Sequence, residues 1–320
     1  MKKAFVASIL FVSATTWGMQ QSDISLNRDN SIMTAVERKD INTVKRLIGS
    51  FYDNDTIIDL MSSYANKRSW SKETLQQYLD PILNKIKDAI NVRNKRGDTP
   101  LIVALREDNR TLAEYLIDQG ADVNLSGDNG DTPVFTATKN NNAVLVKYLI
   151  DNGANVNKQN VYRNVPLKIA LEHDNEVIAK YLIDSEANVN YRSESNDTFL
   201  LIAIRNENEV LAKYLIQHGA NVNKTGENSD TPLIVATKND LENLVKYLIE
   251  QGAYVNKQNA YGITPLLAAV ERCNKNISKY LIDHGADINY KNKKGSTALS
   301  IAEKFGYNEI IDILKDAGAR

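Results

Sequence analysis

The sequence predicts an all-α solenoid: helix-turn-helix units stacked side by side, each joined to the next by a projecting, hairpin-like loop. Three observations carry that prediction. Thr-Pro, or a near match, begins at 99, 132, 165, 198, 231, 264 and 297. Tyr-Leu-Ile recurs at 115, 148, 181, 214, 247 and 280, and Gly-Ala at 120, 153, 219, 252, 285 and 318. The steps are 33 residues or a multiple of it, and no insertion breaks the phase from about residue 91 onward, the signature of a stacked array.

Each element of a unit has a physical reason. Thr caps free amides at a helix start, and Pro fits the first turn, where its missing N–H costs nothing. An apolar first helix follows, as in PLIVAL at 100–105. Asp, Asn or Glu pairs then supply a tight interhelix turn, because Asn and Asp tolerate the left-handed conformation. A second helix reads like AVLVKYLIDN at 143–152, and glycine ends it. A polar, turn-rich tail such as ANVNKQN at 154–160 leads to the next Thr-Pro. One such unit cannot bury its apolar face, whereas stacked neighbours can.

Composition agrees with a globular chain held by packing. Hydrophobic residues make up 42% and charged residues 25% of 320 residues, with a formal net charge of −1. No global field draws the chain to nucleic acid or an anionic membrane, so a partner must be found by local surface. The lone Cys273 excludes an intrachain disulfide and a multi-cysteine zinc site. MKKAFVASILFVSATTWG at 1–18 has the charged start, short apolar run and small residues of a secretory signal peptide, and is too short to span a bilayer. Export to a periplasmic or extracellular space, in a bacterium, is the expectation.

Period 33, "DTPL" openings and "LIxxGAxVN" endings resemble ankyrin repeats, over seven consecutive units: 91–124, 125–157, 158–190, 191–223, 224–256, 257–289 and 290–320. The resemblance implies a curved stack of antiparallel helix pairs with fingers at right angles, and a monomeric module that binds another protein through fingers and concave inner helices. It implies no catalysis, cofactor, metal or nucleic acid. The chain departs from the family pattern. Ile102, Phe135, Lys168, Leu201, Ile234, Leu267 and Ser300 stand where histidine is usual. Val165 replaces Thr, Phe199 replaces Pro, and Ser185-Glu186 replace the helix-ending glycine, which puts the local stability of units three and four in question. Upstream, 19–90 reads as a capping unit around 31–48 and a degenerate helical repeat or insertion over 51–90.

No phosphate loop, HExxH motif or nucleophile elbow is present. A different class of function, an enzyme or toxin, would have to place its chemistry in 51–90; a scaffold without a dedicated target is a further alternative. His218 and His284 share an exposed helix-end position. His173 ends a first helix, and Cys273 lies in an interhelix turn. The tyrosine ladder from Tyr115 to Tyr280 reads as inter-repeat packing with hydroxyls toward water, and the lysines before it (Lys147, Lys180, Lys213, Lys246 and Lys279) as a solvated row.

The surface has a second rhythm of three units. The inner-helix end runs Arg106, Lys139, Glu172, then Arg205, Lys238, Glu271, with Arg272 next in line. The fingertip runs Arg96, Asn129, Tyr162, then Ser195, Asn228, Tyr261. Fingertip acids Asp98, Asp131, Asp197 and Asp230 occupy units one, two, four and five. These residues are the candidate partner-binding set, with Tyr162 and Tyr261 as anchors. The rhythm records copying of a three-unit block, and it also offers two similar patches.

Overall fold

A computed structural model of the protein describes residues 89–91, 93–192 and 196–320. The signal peptide expected at 1–18, the 19–90 segment apart from Ala89–Asn91, and fingertip Ser195 lie outside the described residues. The described residues form two compact units divided between Asn155 and Val156.

The first unit holds two helix pairs: α1 (Pro100–Arg106) with α2 (Arg110–Asp118), and α3 (Pro133–Lys139) with α4 (Ala143–Asp151). The second holds five. They are α5 (Pro166–Glu172) with α6 (Glu176–Asp184), α7 (Phe199–Arg205) with α8 (Glu209–Gln217), α9 (Pro232–Lys238) with α10 (Glu242–Glu250), α11 (Pro265–Glu271) with α12 (Lys275–Asp283), and α13 (Ala298–Phe305) with α14 (Asn308–Asp316). Within each unit, first helices pack on neighbouring first helices and second on second. The all-α repeat architecture is therefore present in both.

Capping chemistry sets the helix starts. Thr99, Thr132, Thr198, Thr231, Thr264 and Thr297 each accept a hydrogen bond from the amide three residues on. Val165 makes no such bond. Asn109, Asn142, Asn175, Asn208 and Asn274 cap the second helices in the same way. The interhelix turns demand a left-handed residue. Asp108, Asn141, Asp174 and Asp240 meet that demand with φ of 50 to 60°, and Glu207 and Cys273 meet it at 57° despite having no special tolerance. Glu186 takes φ 65° where the other repeats place glycine, so the helix end keeps its geometry at a cost of about 1 kcal/mol.

The positions that depart from the family pattern are largely core. Ile102, Phe135, Leu201, Ile234 and Leu267 are buried, as is Phe199 in place of proline. An apolar side chain there adds burial, roughly 1.5–3 kcal/mol each when fully removed from water. The connecting loops contain no strand among the described residues. Six fingers are closed by a backbone bond across the tip: the amides of Asn94, Gly127, Asn160, Gly226, Asn259 and Asn292 donate to the carbonyls four residues on, at 2.8–3.0 Å.

Candidate functional site

The asparagine of each "VN" is the joint between repeats. Asn124 Nδ2 donates to Gly153 O at 3.0 Å, and its Oδ1 accepts from the Asn155 amide at 2.7 Å. Asn157, Asn190, Asn223 and Asn256 make the same pair of bonds to the next helix end and the residue two beyond it. One side chain thus satisfies a helix-end carbonyl and a loop amide that would otherwise lack partners. Along the sequence this residue reads only as part of a polar tail. The signal was available in the recurrence of Asn at one position.

A second joint engages acids of the three-unit rhythm and corrects their expected location. Asp98, Asp197 and Asp230 are buried at 1%, 7% and 7% exposure, not displayed on fingertips. Asp98 Oδ1 accepts from the Asp128 amide at 2.9 Å, and its other oxygen pairs with Arg106. Asp197 accepts from the Glu227 amide at 3.1 Å and pairs with Arg205 at 3.2 Å. Asp230 accepts from Asn259 Nδ2 at 2.7 Å and pairs with Lys238 at 3.1 Å. Arg106, Arg205 and Lys238 are therefore tied to these carboxylates rather than standing unengaged on the surface. Burial makes the pairing obligatory, because a desolvated carboxylate without partners is costly.

The fingers obtain their turn acceptor in two ways. Asn94, Asn160, Asn259 and Asn292 accept from amides two and four residues on within their own finger. The fingers of repeats two and five carry Gly127 and Gly226 at that position, and the aspartate of the preceding repeat enters instead. A Cβ on Gly226 would overlap Asp197 Oδ1 and come within 2.5 Å of Leu201 Cδ1; one on Gly127 would overlap Asp98 Oδ1. Aspartate and glycine are thus two halves of one contact.

The other candidates fall into place around these joints. Asp131 is half-buried and engaged. Arg96, Lys139 and Glu271 are exposed; Glu172 meets Lys168 at 3.4 Å, and Arg272 meets Asp240 at 3.1 Å. Tyr162 and Tyr261 are 57% and 61% exposed on fingers of the second unit, the largest side chains presented at those tips. His218 and His284 lie at helix ends, their rings against Tyr214 and Tyr280 at 4.3 and 4.0 Å.

The tyrosine ladder packs between repeats, but its hydroxyls do more than reach water. Tyr148 donates to Asp118 and Tyr214 to Asp184. The hydrogen bond to that carboxylate, then burial, then the carboxylate's charge push both phenols up to about 12. Nor is the lysine row merely solvated. Lys180, Lys213 and Lys246 lie 5.2, 5.8 and 5.8 Å from the ring centres of Tyr214, Tyr247 and Tyr280 in the following repeats. Lys180 and Lys246 also pair with Glu176 and Glu242 one turn before them. The bonds from Lys246 and Asn276 hold the Glu242 carboxyl below the usual carboxylate range.

Stacked helix pairs, clamped tails and ordered fingers define a helical-repeat scaffold whose loops form its display surface. The chain belongs to the ankyrin repeat family: the family model for ankyrin repeats in three copies matches residues 17–160, 123–193, 167–259 and 242–320. A search of curated proteins gives no match. Among solved structures, an ankyrin repeat domain from Acinetobacter baumannii is 29% identical, with a TM-score of 0.55 over 59% of this chain and 98% of that one. The ankyrin repeat domain of Bcl-3, a member of the IkappaB family, is 26% identical, with a TM-score of 0.59 over 69% and 100%. The human ASB11 ankyrin repeat domain is 26% identical, with a TM-score of 0.54 over 70% and 99%. Ankyrin repeats generally mediate protein–protein interaction. Among the described residues no helix is long and apolar enough to cross a membrane.

Proposed function

We propose that the chain is an exported, monomeric ankyrin module that holds a partner protein through its fingers and the exposed ends of its first helices. The observation that carries this reading is the pair Tyr162 and Tyr261. Both are more than half exposed at equivalent fingertip positions of the second unit, three repeats apart. The part of a large aromatic that stays in water at a tip contributes no apolar burial to folding. It gains apolar burial only when something covers it, and aromatics at an interface centre tend to dominate binding. Three repeat steps of about 8–10 Å separate the two rings by roughly 25–30 Å, so one repetitive or dimeric partner can engage both. The amino-terminal sequence supports an extracytoplasmic setting.

The test is capture from periplasmic and extracellular fractions by the immobilised chain and by a Tyr162→Ala, Tyr261→Ala variant of unchanged circular dichroism. A protein retained by the first and lost by the second supports finger-mediated binding. Equal retention moves the interface to the concave first helices or to the 51–90 segment. No specific retention by either chain removes the reading. Fractionation of the expressing cell checks the export component, which fails if the chain stays cytoplasmic with residues 1–18 intact.

A further inference from the structure

Two neighbouring fingers carry lysines and no acid, a composition shared by the finger at 158–164, with Lys158 and Arg163, whose neighbour at 125–131 is acidic. Residues 257–263 and 290–296 contain Lys257, Lys291, Lys293 and Lys294 and no Asp or Glu, in a chain whose formal net charge is −1. The preceding finger, at 226–230, carries Glu227 and the buried Asp230 instead. Lysines on the second helices are paired internally, as Lys246 with Glu242 and Lys279 with Asp283. Among the described residues, no carboxylate lies within ion-pair distance of Lys291 or Lys294, and both side chains are exposed.

The tips that carry these charges are fastened together. The Ala260 amide donates to Asn228 O at 2.7 Å, and Tyr261 OH donates to Asn228 Oδ1 at 3.2 Å. From the other side, Lys293 Nζ donates to Ala260 O, and Tyr290 OH donates to Gln258 Oε1 at 2.5 Å. Gly262 is packed so closely that a Cβ there would lie 3.0 Å from the Lys293 amide. The Tyr261 ring is therefore held by its hydroxyl against the preceding finger, with more than half of its surface in water. Binding would need little further ordering of these tips, which removes one of the main costs of association.

We infer that the fingers of repeats six and seven form a preorganised site for an acidic, extended peptide segment of a partner protein, with an apolar or aromatic side chain placed among its carboxylates. Lys291 and Lys294 take the carboxylates, and Tyr261 takes the apolar side chain. This rests on the protein-binding reading above and specifies its chemistry. A single-stranded nucleic acid also combines anionic charge with rings. Proteins that hold such strands offer a succession of stacking rings along a basic groove, whereas the Tyr254 ring here is taken up by Lys257 at 5.9 Å and the neutral chain provides no wider field.

The experiment is selection of a random linear peptide library on the full chain and on a Lys291→Gln, Lys294→Gln variant, followed by anisotropy measurements on the recovered peptides. The expected pool is rich in Asp and Glu around an apolar residue. Its best member weakens about tenfold or more on the double variant and on Tyr261→Ala, weakens as salt rises, and is lost when its acids are made amides. A pool without acidic bias overturns the proposal, as does an acidic peptide that binds the double variant equally well. A mixed-sequence single-stranded oligonucleotide that outcompetes the selected peptide, with the same lysine dependence, overturns it in favour of nucleic acid. If peptides are recovered that depend on Tyr162 and not on these lysines, the acidic-segment site fails while protein binding stands. If the immobilised chain retains no partner at all, the broader reading fails with it.

Discussion

The phenols of Tyr148 and Tyr214 show how a single bond between repeats becomes a dependence on pH. Their proton is held more tightly in the folded chain, with the pKa raised from 10.0 to about 12 by donation to Asp118 and Asp184. A group whose folded pKa lies above its unfolded value contributes stability that is fully present below the unfolded pKa. That contribution is lost as pH rises through the folded one. We expect stability to fall between pH 10 and about 12, and the fall to shrink in Tyr214→Phe. Denaturant midpoints across that range, with phenolate absorbance recorded alongside, provide the check. A midpoint independent of alkaline pH would remove these bonds from the account. Both tyrosines are only half-buried, so the effect is small beside the burial of the core.

At the scale of the finger, the decisive feature is that its turn acceptor comes from within or from the repeat before. Gly226 has a negative φ of −105°, so a left-handed backbone is not what calls for glycine there. What Gly226→Ala introduces is a collision with Asp197 Oδ1 and Leu201. Overpacking of this kind costs about 1–3 kcal/mol. Asp197→Ala alone strips the Glu227 amide and Arg205 of their shared acceptor, at about 1–3 kcal/mol. The two changes together should cost less than their sum, because the alanine at 226 enters space that the carboxylate has vacated. Urea unfolding of the two single variants and the double variant measures this coupling. Strict additivity would mean that Asp197 and Gly226 are not halves of one contact. The periodic pattern made both residues visible, but the sequence reading placed the aspartate outside on the finger. Nothing in a linear spacing shows that residue 197 meets residue 227 across a repeat boundary.

At the scale of the whole chain, the same contacts limit which repeat can follow which. Asp197 requires glycine in the next finger, and Asp230 requires asparagine. Repeat two carries Gly127 and Asp131 at the corresponding positions, and repeat six carries Asn259 and Ile263. A chain in which 125–157 replaces 224–256 should keep both junctions and melt close to the parent. Placing 257–289 there instead drives asparagine against Asp197 and removes the acid that Asn259 meets, so that chain should melt several degrees lower. Thermal unfolding followed by circular dichroism distinguishes the two; equal melting temperatures would show that repeat order is not encoded at these joints. On this view, copying a block of three repeats leaves these joints matched. The close echo of 145–167 in 244–266 follows from that constraint as readily as from ancestry.

The helices and their order were legible along the chain, because their causes are local. Thr and Asn caps, prolines in first turns, left-handed turn residues and apolar spacing act within a few residues, and a period of 33 repeats them until the pattern cannot be missed. The exposure of Tyr162 and Tyr261 was legible too, since a bulky aromatic at a turn tip has no neighbour in its own repeat to cover it. Whether a charged residue faced water or a partner was decided only by tertiary structure. Asp98, Asp197 and Asp230 look like surface acids until the next finger delivers its amide and the helix end delivers its cation. Lys291 and Lys294 look like any other lysines until their neighbours prove to carry no carboxylate. Burial and pairing are properties of what arrives from about thirty residues away, and stacking alone brings it there.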